Sequence, residues 1–418
     1  MDLAALRTPD GEAALAAAAD LAGGDPLHAA AALRSAGVPP DLAAAALTQA
    51  TLRRQAAAKF GPEASVLFFT RAGLEQATRS VVAARRARRL VAAGVRTLVD
   101  LGCGIGSDAI AAAREGIRVV GVEIDATTAA VAAANAAAAG VADRFQVVRA
   151  DATAFDTSPY DAVFCDPARR STGGRRVFDP AAYSPSWDFV AGLADRTARL
   201  AVKVAPGFDH ARAPSGAETE LVSVDRDVVE ATLWCGALAT VPRRATVLRA
   251  GVAGELTGTG AVAAPVGPVG GYLYDPDGAV VRAGLVAEFA STVRGRLGDP
   301  TIAYVWADEP VPTSFARCFA VTDVLPFSLK RLRTELRARD VGTLEILKRG
   351  SALDPAQFRR DLRLRGRTSI SLLLTRVAGA QVAVLATPIA FEGGQTRAGH
   401  AGDGGADPRE GPIHDAPL

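Results

Sequence analysis

The sequence has few of the residues on which metal centres, redox pairs and histidine-based catalysis depend. Only four of its 418 residues are cysteines and four are histidines. The nearest two cysteines, Cys103 and Cys165, are 62 positions apart, which excludes CxxC zinc and redox pairs and argues against a disulfide framework. The histidines are scattered, which argues against a His-rich metal site or a His-based triad. We therefore expect chemistry that depends on carboxylates, backbone and a bound cofactor, without a metal.

Long apolar runs are also missing. No stretch of about 18 consecutive apolar residues free of charge occurs, and the acidic, Ala-rich start lacks the basic region of a signal peptide. We therefore expect a cytoplasmic protein with no membrane segment. Hydrophobic residues make up 49% of the chain and charged residues 22%, which is typical of a folded globular protein.

Lysine is scarce, because 43 of the 47 basic residues are arginine, and the net charge is only +2. Arginine suits phosphate and base recognition, but a GC-rich genome would give the same bias. The charge is uneven, since thirteen basic residues stand against five acidic ones in the segment that runs from Lys330 to Arg376. A second run, from Arg79 to Arg96, has no acid. A solvated helix face explains any single basic residue, whereas the cluster between Lys330 and Arg376 favours a polyanion as partner.

Turn signals and composition divide the chain into segments. From Thr97 onward, short β-branched runs alternate with Ala-rich helical ones, which indicates βαβ units and a parallel sheet. A Gly/Ala/Pro/Val-rich stretch then predicts a linker, and a final stretch with almost nothing apolar predicts disorder. We expect a helical N-terminal region, an α/β domain, a linker, an α+β domain and a disordered tail, at residues 1–68, 69–250, 251–271, 272–392 and 393–418.

The strongest motif is TLVDLGCGIGSDAIAAA, residues 97–113, in which a hydrophobic strand ends in Asp100 and an Ala-rich helix follows. Three glycines lie between them at alternate positions: Gly102, Gly104 and Gly106. Glycine lets the backbone turn sharply and approach a ligand closely. The spacing does not match the dinucleotide fingerprint GxGxxG, and no Gly-Lys-Ser/Thr follows, so the phosphate-binding P-loop is excluded.

Acidic residues end the next two predicted strands. Glu123 comes 23 residues after Asp100, where an acid can accept hydrogen bonds from two ribose hydroxyls. Asp151 follows the third strand and could meet an adenine amino group. Together with the glycine loop, this pattern resembles the class I S-adenosylmethionine-dependent methyltransferases. The resemblance implies a doubly wound Rossmann-like sheet with a final antiparallel strand, S-adenosylmethionine as cofactor, and these acids and glycines as its binding residues. The alternative is another nucleotide-binding or degenerate Rossmann domain.

The fourth strand ends in AVFCDPARRS, residues 162–171. This segment is similar to the Asp/Asn-Pro-Pro-aromatic motif of methyltransferases that act on exocyclic amines of nucleobases. The resemblance implies that Asp166 and the Pro167 backbone orient the amine. Ala168 replaces the second proline and Arg169 the aromatic, and Arg169 could stack on a base or contact a phosphate. The structural alternative is that Asp166 caps a helix.

Upstream, FFTRAGLEQATRSVVAARRARR resembles the segment before the glycine loop in RNA cap-guanosine methyltransferases and their bacterial relatives. The resemblance implies a turn at Thr70 that leads into a helix closing over the cofactor, so Thr70 joins the candidate cofactor residues. An amphipathic helix with Thr70 as its N-cap is equally consistent with the spacing.

Taken whole, the motifs resemble bacterial methyltransferases with a C-terminal THUMP-like domain. The C-terminal part of this resemblance rests on YDPDGAVVRAGL, residues 274–285, and LEILKRG, residues 344–350. The resemblance implies an RNA substrate. We therefore expect an S-adenosylmethionine-dependent methyltransferase that modifies an exocyclic amine of a base in structured RNA. The alternatives are a methyltransferase acting on a small molecule or protein, and a cofactor-binding RNA-binding protein without catalysis.

Overall fold

The first part of the chain is helical. The computed structural model describes residues 3–169, 183–249 and 251–391, so the tail expected to be disordered, 393–418, lies outside the described residues. Six helices precede the first strand: α1 (Leu3–Leu6), α2 (Pro9–Leu21), α3 (Pro26–Ser35), α4 (Pro40–Phe60), α5 (Arg71–Gln76) and α6 (Ser80–Ala92). Proline at the first helical position and the N-caps Thr8 and Asp25 begin α2 and α3.

Two short helices, α5 and α6, follow Thr70, with a break at residues 77–79 between them. The Lys59 ammonium on α4 donates to three carbonyl oxygens at the end of α5, those of Leu74, Glu75 and Ala77, at 2.7, 2.8 and 3.0 Å. These carbonyls have no partners within so short a helix, so a cation there ends the helix favourably.

A nine-stranded sheet forms the centre of the molecule. Its strands are β1 (Thr97–Leu101), β2 (Arg118–Glu123), β3 (Phe145–Arg149), β4 (Ala162–Cys165), β7 (Arg199–Val204), β8 (Glu218–Val224), β9 (Asp227–Gly236), β10 (Arg243–Arg249) and β11 (Val252–Gly258). The spatial order is β11-β10-β8-β9-β7-β4-β1-β2-β3, with β9 antiparallel to both neighbours. This confirms the doubly wound sheet. Its antiparallel strand β9 is not the final strand, because β10 and β11 follow it in the same sheet.

Three helices cross over between the strands: α7 (Ser107–Arg114), α8 (Ala126–Ala138) and α9 (Trp187–Arg196). α6, α7 and α8 pack on one face of the sheet, and α9 packs on the other, because each helix buries an apolar stripe against it. A separate two-stranded ribbon pairs β5 (Ala168–Arg169) with β6 (Tyr183–Ser184).

The expected linker at residues 251–271 is wrong in its first half. Residues Val252–Gly258 form β11, which pairs along its whole length with β10 as an antiparallel hairpin. Leu256 of β11 is buried in the same core as the central strands. This burial and the pairing with β10 make the segment an edge strand. The Gly and Pro content of the whole stretch led to the prediction of a linker.

The C-terminal unit has a seven-stranded sheet in the order β13-β14-β12-β15-β18-β17-β16. Its strands are β12 (Tyr272–Pro276), β13 (Arg296–Leu297), β14 (Val305–Ala307), β15 (Ala316–Pro326), β16 (Val341–Lys348), β17 (Thr368–Val377) and β18 (Ala380–Ile389). Its helices are α10 (Gly278–Arg282), α11 (Val286–Thr292), α12 (Leu329–Ala338) and α13 (Pro355–Leu362). The arrangement is α+β, as expected. α10 and α11 are separate helices, because Gly284 has a φ of +74° and ends α10.

The two units share one core and an ion-pair cluster. Tyr274 and Phe289 pack in the same apolar cluster as Leu221 of the central sheet. Buried Asp275 accepts from Arg226 of the β8–β9 turn, and from Arg349 of the C-terminal unit, at 3.1 and 3.0 Å. The YDPDG motif therefore joins the two units.

Candidate functional site

The carboxyl ends of neighbouring strands bring the predicted acids to one edge of the sheet. β1 lies between β2 and β4, and Asp100 is in register with Gly121 of β2 and Phe164 of β4. Glu123 is the last residue of β2, and Asp166 follows β4 directly. In an open parallel sheet this edge is where ligands bind, so the predicted residues meet where a cofactor site is expected.

The glycine loop has the geometry that its spacing predicts. Gly102, Gly104 and Gly106 have φ values of +83°, +57° and +89°, in the left-handed region that favours glycine. A Cβ on Gly102 would lie 3.7 Å from the carbonyl oxygen of Asp166, so the loop after β1 and the loop after β4 are in close contact. The Glu123 Oε2 atom accepts from the backbone N–H of Gly104 at 3.1 Å, which holds the loop against the end of β2.

Asp100 has an unusual environment. Its side chain is 1% exposed, and Oδ1 has no hydrogen-bond partner within the part of the chain that the structure describes. Burial, reinforced by the charges of Asp108 and Asp166, raises the pKa of the Asp100 carboxyl well above its ordinary value. A buried acceptor without a partner is costly, so Asp100 is suited to a cationic or N–H group of a ligand.

Asp151 lies at the rim of the same edge and is exposed. It accepts from the backbone N–H and the hydroxyl of Thr153, both at 2.8 Å, and these hydrogen bonds lower the pKa of its carboxyl. The side chain of Ile124, which follows Glu123, is 65% exposed. Ile124 stands between Glu123 and Asp125 in the sequence, so its apolar side chain lies beside hydrogen-bond acceptors. Such a surface suits the face of a nucleobase.

Asp166 forms an ion pair that the sequence did not indicate. Its Oδ2 atom lies 2.5 Å from the Nζ atom of Lys203 near the end of β7, and its side chain remains 31% exposed. Pro167 is buried, and the side chain of Arg169 lies outside the described part of the structure. Asp166 does not cap a helix. The available signal for Lys203 was a rare lysine inside the otherwise apolar strand RLAVKV.

The segment before the glycine loop covers the site from the N-terminal side. Thr70 Oγ accepts from the backbone N–H of Gly73 at 2.9 Å, so Thr70 is the N-cap of α5. α5 packs directly on the glycine loop, because a Cβ on Gly73 would come within 2.4 Å of the Ile105 side chain. The N-cap and the covering helix are therefore both present.

Three of the four arginines of α6 pair with acids inside the fold. Arg86 is 4% exposed and pairs with Asp108 of α7 and Glu230 of β9. Arg85 and Arg89 pair with the buried Glu220 and Glu218 of β8, both at 2.6 Å. Much of the acid-free run from Arg79 to Arg96 is thus not a basic surface, because most of these partners lie on strands more than a hundred residues away in sequence, whereas Arg88 is exposed.

The structure shows no metal centre in the residues it describes. No group of three or more His, Cys, Asp or Glu side chains there could hold a metal ion. All four cysteines are buried and free. Among the described helices, none is long and apolar enough to cross a membrane.

Three family models match parts of the chain. A domain of unknown function, DUF8688, matches residues 1–56, a methyltransferase domain matches residues 98–171, and a THUMP domain-like model matches residues 316–388. The second match contains the glycine loop and all four candidate acids, Asp100, Glu123, Asp151 and Asp166. The third covers β15 to β18.

Curated and solved proteins are similar over most of the chain. An uncharacterized S-adenosylmethionine-dependent methyltransferase of Mycobacterium tuberculosis, from strains CDC 1551 / Oshkosh and ATCC 25618 / H37Rv, is 38% identical over 349 residues. The match covers 79% of this chain and 92% of the relative. A crystal structure from Porphyromonas gingivalis W83, provisionally described as a methyltransferase, has a TM-score of 0.71 at 22% identity. It covers 90% of this chain and 98% of that one, so the fold is shared.

Proposed function

The chain belongs to the S-adenosylmethionine-dependent methyltransferases and carries a THUMP-like C-terminal domain, and we propose that it methylates an exocyclic amine of a base in structured RNA. The proposal assigns cofactor binding and transfer to residues 69–250, and RNA delivery to residues 272–392. Residues 1–68 would support the covering helix α5. The observation that supports it is the close approach of the Asp166 backbone to the glycine loop, since an amine held by Asp166 would then lie beside the proposed cofactor site.

The residues at the site fit S-adenosylmethionine. Asp100 offers an unpartnered buried oxygen to the cationic methionine end, and the backbone of the glycine loop leaves room for close approach. Glu123 would accept from the ribose hydroxyls, while Ile124 and Asp151 would contact the face and the amino group of the adenine. The cofactor-binding set is thus Thr70, through its capping of α5, with Asp100, Gly102, Gly104, Gly106, Glu123 and Asp151.

Asp166 would orient the methyl acceptor. S-adenosylmethionine supplies an electrophilic methyl group, so the amine nitrogen forms a bond to that carbon as the carbon–sulfur bond breaks and its electron pair goes to sulfur. An Asp166 oxygen and the nearby backbone carbonyl accept the N–H groups of the amine, which directs its lone pair at the methyl group. The extra proton of the product then passes to solvent or to Asp166, and no metal is needed.

The charge of the C-terminal unit supports RNA as the substrate. Eight exposed cations there have no ion-pair partner within the described chain: Lys330, Arg331, Arg337, Lys348, Arg359, Arg360, Arg363 and Arg365. We call this set the basic surface. Other basic residues of the same segment form ion pairs within the protein, such as Arg349 with Asp275 and Arg376 with Asp299. The remaining cluster is large enough to contact several phosphates.

Labelled cofactor tests the proposal. The protein is incubated with methyl-labelled S-adenosylmethionine and with separate RNA, protein and small-molecule fractions from cells that lack it. We expect label in the RNA fraction, and ribonuclease should release it as methylated nucleoside. Label in protein or in a small molecule would refute the RNA substrate, whereas cofactor binding without transfer to any fraction would refute the enzyme.

A further inference from the structure

Lys203 occupies a place in β7 where a charge is costly. Leu200, Ala201, Val202 and Val204 around it are buried, and the Lys203 side chain is only 14% exposed. Desolvating an ammonium costs about several kcal/mol, and an apolar residue at such a place commonly makes a protein more stable. A charge retained in the interior beside a candidate active site points to function rather than to stability.

The ammonium joins two parts of the site. Nζ lies 2.5 Å from Asp166 Oδ2 and 3.3 Å from the backbone carbonyl oxygen of Gln76 at the end of α5. Lys203 therefore connects the loop after β4, which would hold the acceptor, to the helix that covers the glycine loop. Because Oδ2 is engaged, Oδ1 is the Asp166 oxygen left to accept from a substrate.

We propose that Lys203 is a positioning residue for methyl transfer, which fixes the Asp166 carboxylate in one orientation. The inference rests on the proposed role of Asp166 as the group that accepts hydrogen bonds from the substrate amine. A carboxylate that rotates freely would leave the amine lone pair off the line of attack.

The other charges around the pair are largely acidic. Asp100 of β1, Asp108 of α7 and Glu230 of β9 face it, opposed by Arg86 of α6 and Lys59 of α4. Burial lowers the pKa of the Lys203 ammonium, but the charges of Asp166, Asp108 and Glu230 outweigh it and raise that pKa above its ordinary value. Without Lys203, Asp166 would face three acids with no cation among the described residues in contact with it.

Kinetics of three variants test the role, with the acceptor that the wild-type protein labels. We expect Lys203→Met to lower kcat about 10-fold or more and to leave the KM for S-adenosylmethionine within a few-fold. Lys203→Arg keeps a cation beside Asp166 and should retain most of kcat. Lys59→Met, which also frees α5 but does not touch Asp166, should lower kcat less than Lys203→Met does.

Two results would overturn the inference. One is a Lys203→Met variant whose kcat matches the wild type. The other is an equal loss of kcat in Lys59→Met, which would reduce Lys203 to a support for α5. A wild-type protein that labels protein instead of RNA defeats the proposed RNA substrate, while the three variants still decide the role of Lys203 on that acceptor.

A second measurement is independent of any acceptor. The chain has only four lysines, so the full-length protein with 13Cε-lysine gives four side-chain signals in an NMR titration. Loss of one signal in Lys203→Met assigns it. We expect Asp166→Asn to lower the pH at which that signal titrates. An unchanged titration in Asp166→Asn would overturn the pairing, and with it the positioning role.

Discussion

At the scale of single residues, three carboxylates at neighbouring strand ends differ because their surroundings differ. Asp100 is buried without a partner at Oδ1, Glu123 accepts from the glycine loop, and Asp166 is paired and partly open. The first two environments suit cofactor binding. The third suits a carboxylate that accepts hydrogen bonds from a substrate arriving from solvent. We therefore propose that carboxylates at one edge of the sheet have different tasks.

Replacing Asp166 should separate transfer from binding. We expect Asp166→Ala to lower kcat about 100-fold or more, because the amine loses the group that orients it. Affinity for S-adenosylhomocysteine, measured by calorimetry, should stay within a few-fold.

Asp143→Asn is the matched control, since Asp143 is exposed at the opposite edge of the sheet and pairs only with Arg144, at 3.7 Å, among the described residues. It should leave both quantities unchanged. An equal loss of transfer and affinity in Asp166→Ala would contradict the assigned role.

These strand-end acids could be predicted from the sequence, because each follows a hydrophobic run at βαβ spacing. Lys203 could not, because its partner depends on β7 lying beside β4, and strand order is a tertiary property. The sequence also showed that Ala168 and Arg169 differ from the Asp/Asn-Pro-Pro-aromatic motif. The effect of this difference depends on the Arg169 side chain, which lies outside the described part of the structure.

At the scale of elements, α6 shows how charge along a sequence can mislead. Arg85, Arg86 and Arg89 face a row of buried acids on β8 and β9. The indole N–H of Trp234 and the hydroxyl of Thr246 also donate to Glu220 in that row. The alternation of strands and helices was predicted, but the pairing of α6 with these strands was not, because the partners are remote in sequence. The cluster binds α6 to the sheet.

Arg86 should be essential for stability, whereas its neighbour Arg88 should not. Arg86→Met removes the buried cation between Asp108 and Glu230, and leaving buried charges unpaired costs about 3–5 kcal/mol. Urea unfolding should show this loss. Arg88 is exposed on the same helix, so Arg88→Met should change the free energy of unfolding by less than about 0.5 kcal/mol. Similar losses in both variants would show that the helix, not the ion pair, matters.

Glu218 should make the protein sensitive to acid. Burial raises the pKa of Glu218, but hydrogen bonds from Arg89 and Arg244 outweigh it and hold the pKa at about 2, below the ordinary 4.5. A carboxyl with a lowered folded pKa stabilises the protein above its unfolded pKa, and this stabilisation is lost as the pH falls toward about 2.

The free energy of unfolding, measured in urea at a series of pH values, should therefore fall from about pH 5 downward, and Glu218→Gln should flatten that fall. Glu309→Gln is the control, since Glu309 is 79% exposed and 3.8 Å from Arg294. A Glu218→Gln curve with the slope of the wild type would contradict the assignment.

At the scale of the whole molecule, the two units are built as one body with unequal surfaces. The shared core and the Asp275 cluster fix the C-terminal sheet on the central one, so the basic surface is held at a set position. The excess of basic residues between Lys330 and Arg376 could be read from the sequence. Only the fold shows which of them form ion pairs with acids of the protein. The sequence also placed the end of the central domain too early, at residue 250, because the pairing of β11 with β10 is visible only in the fold.

Reversing two charges of the basic surface should weaken RNA binding through salt-dependent contacts. We expect the double variant Arg360→Glu/Arg365→Glu to reduce the magnitude of the slope of log affinity against log salt concentration by about 1 to 2. The reason is that fewer counterions are released from the RNA when the protein makes fewer phosphate contacts. Cofactor affinity should not change. Arg294→Glu, an 83% exposed arginine outside the basic surface, should have the slope of the wild type. An unchanged slope in the double variant would place the RNA elsewhere.

The central claim is transfer of a methyl group to an exocyclic amine of an RNA base, and nucleoside mass spectrometry tests it most directly. RNA is compared from cells without the protein and from the same cells that carry either the wild type or Asp166→Ala. The account predicts one N-methylated nucleoside that is absent without the protein, returns with the wild type and does not return with Asp166→Ala. A methyl group found on ribose or on a ring carbon, or one restored equally by Asp166→Ala, would contradict it.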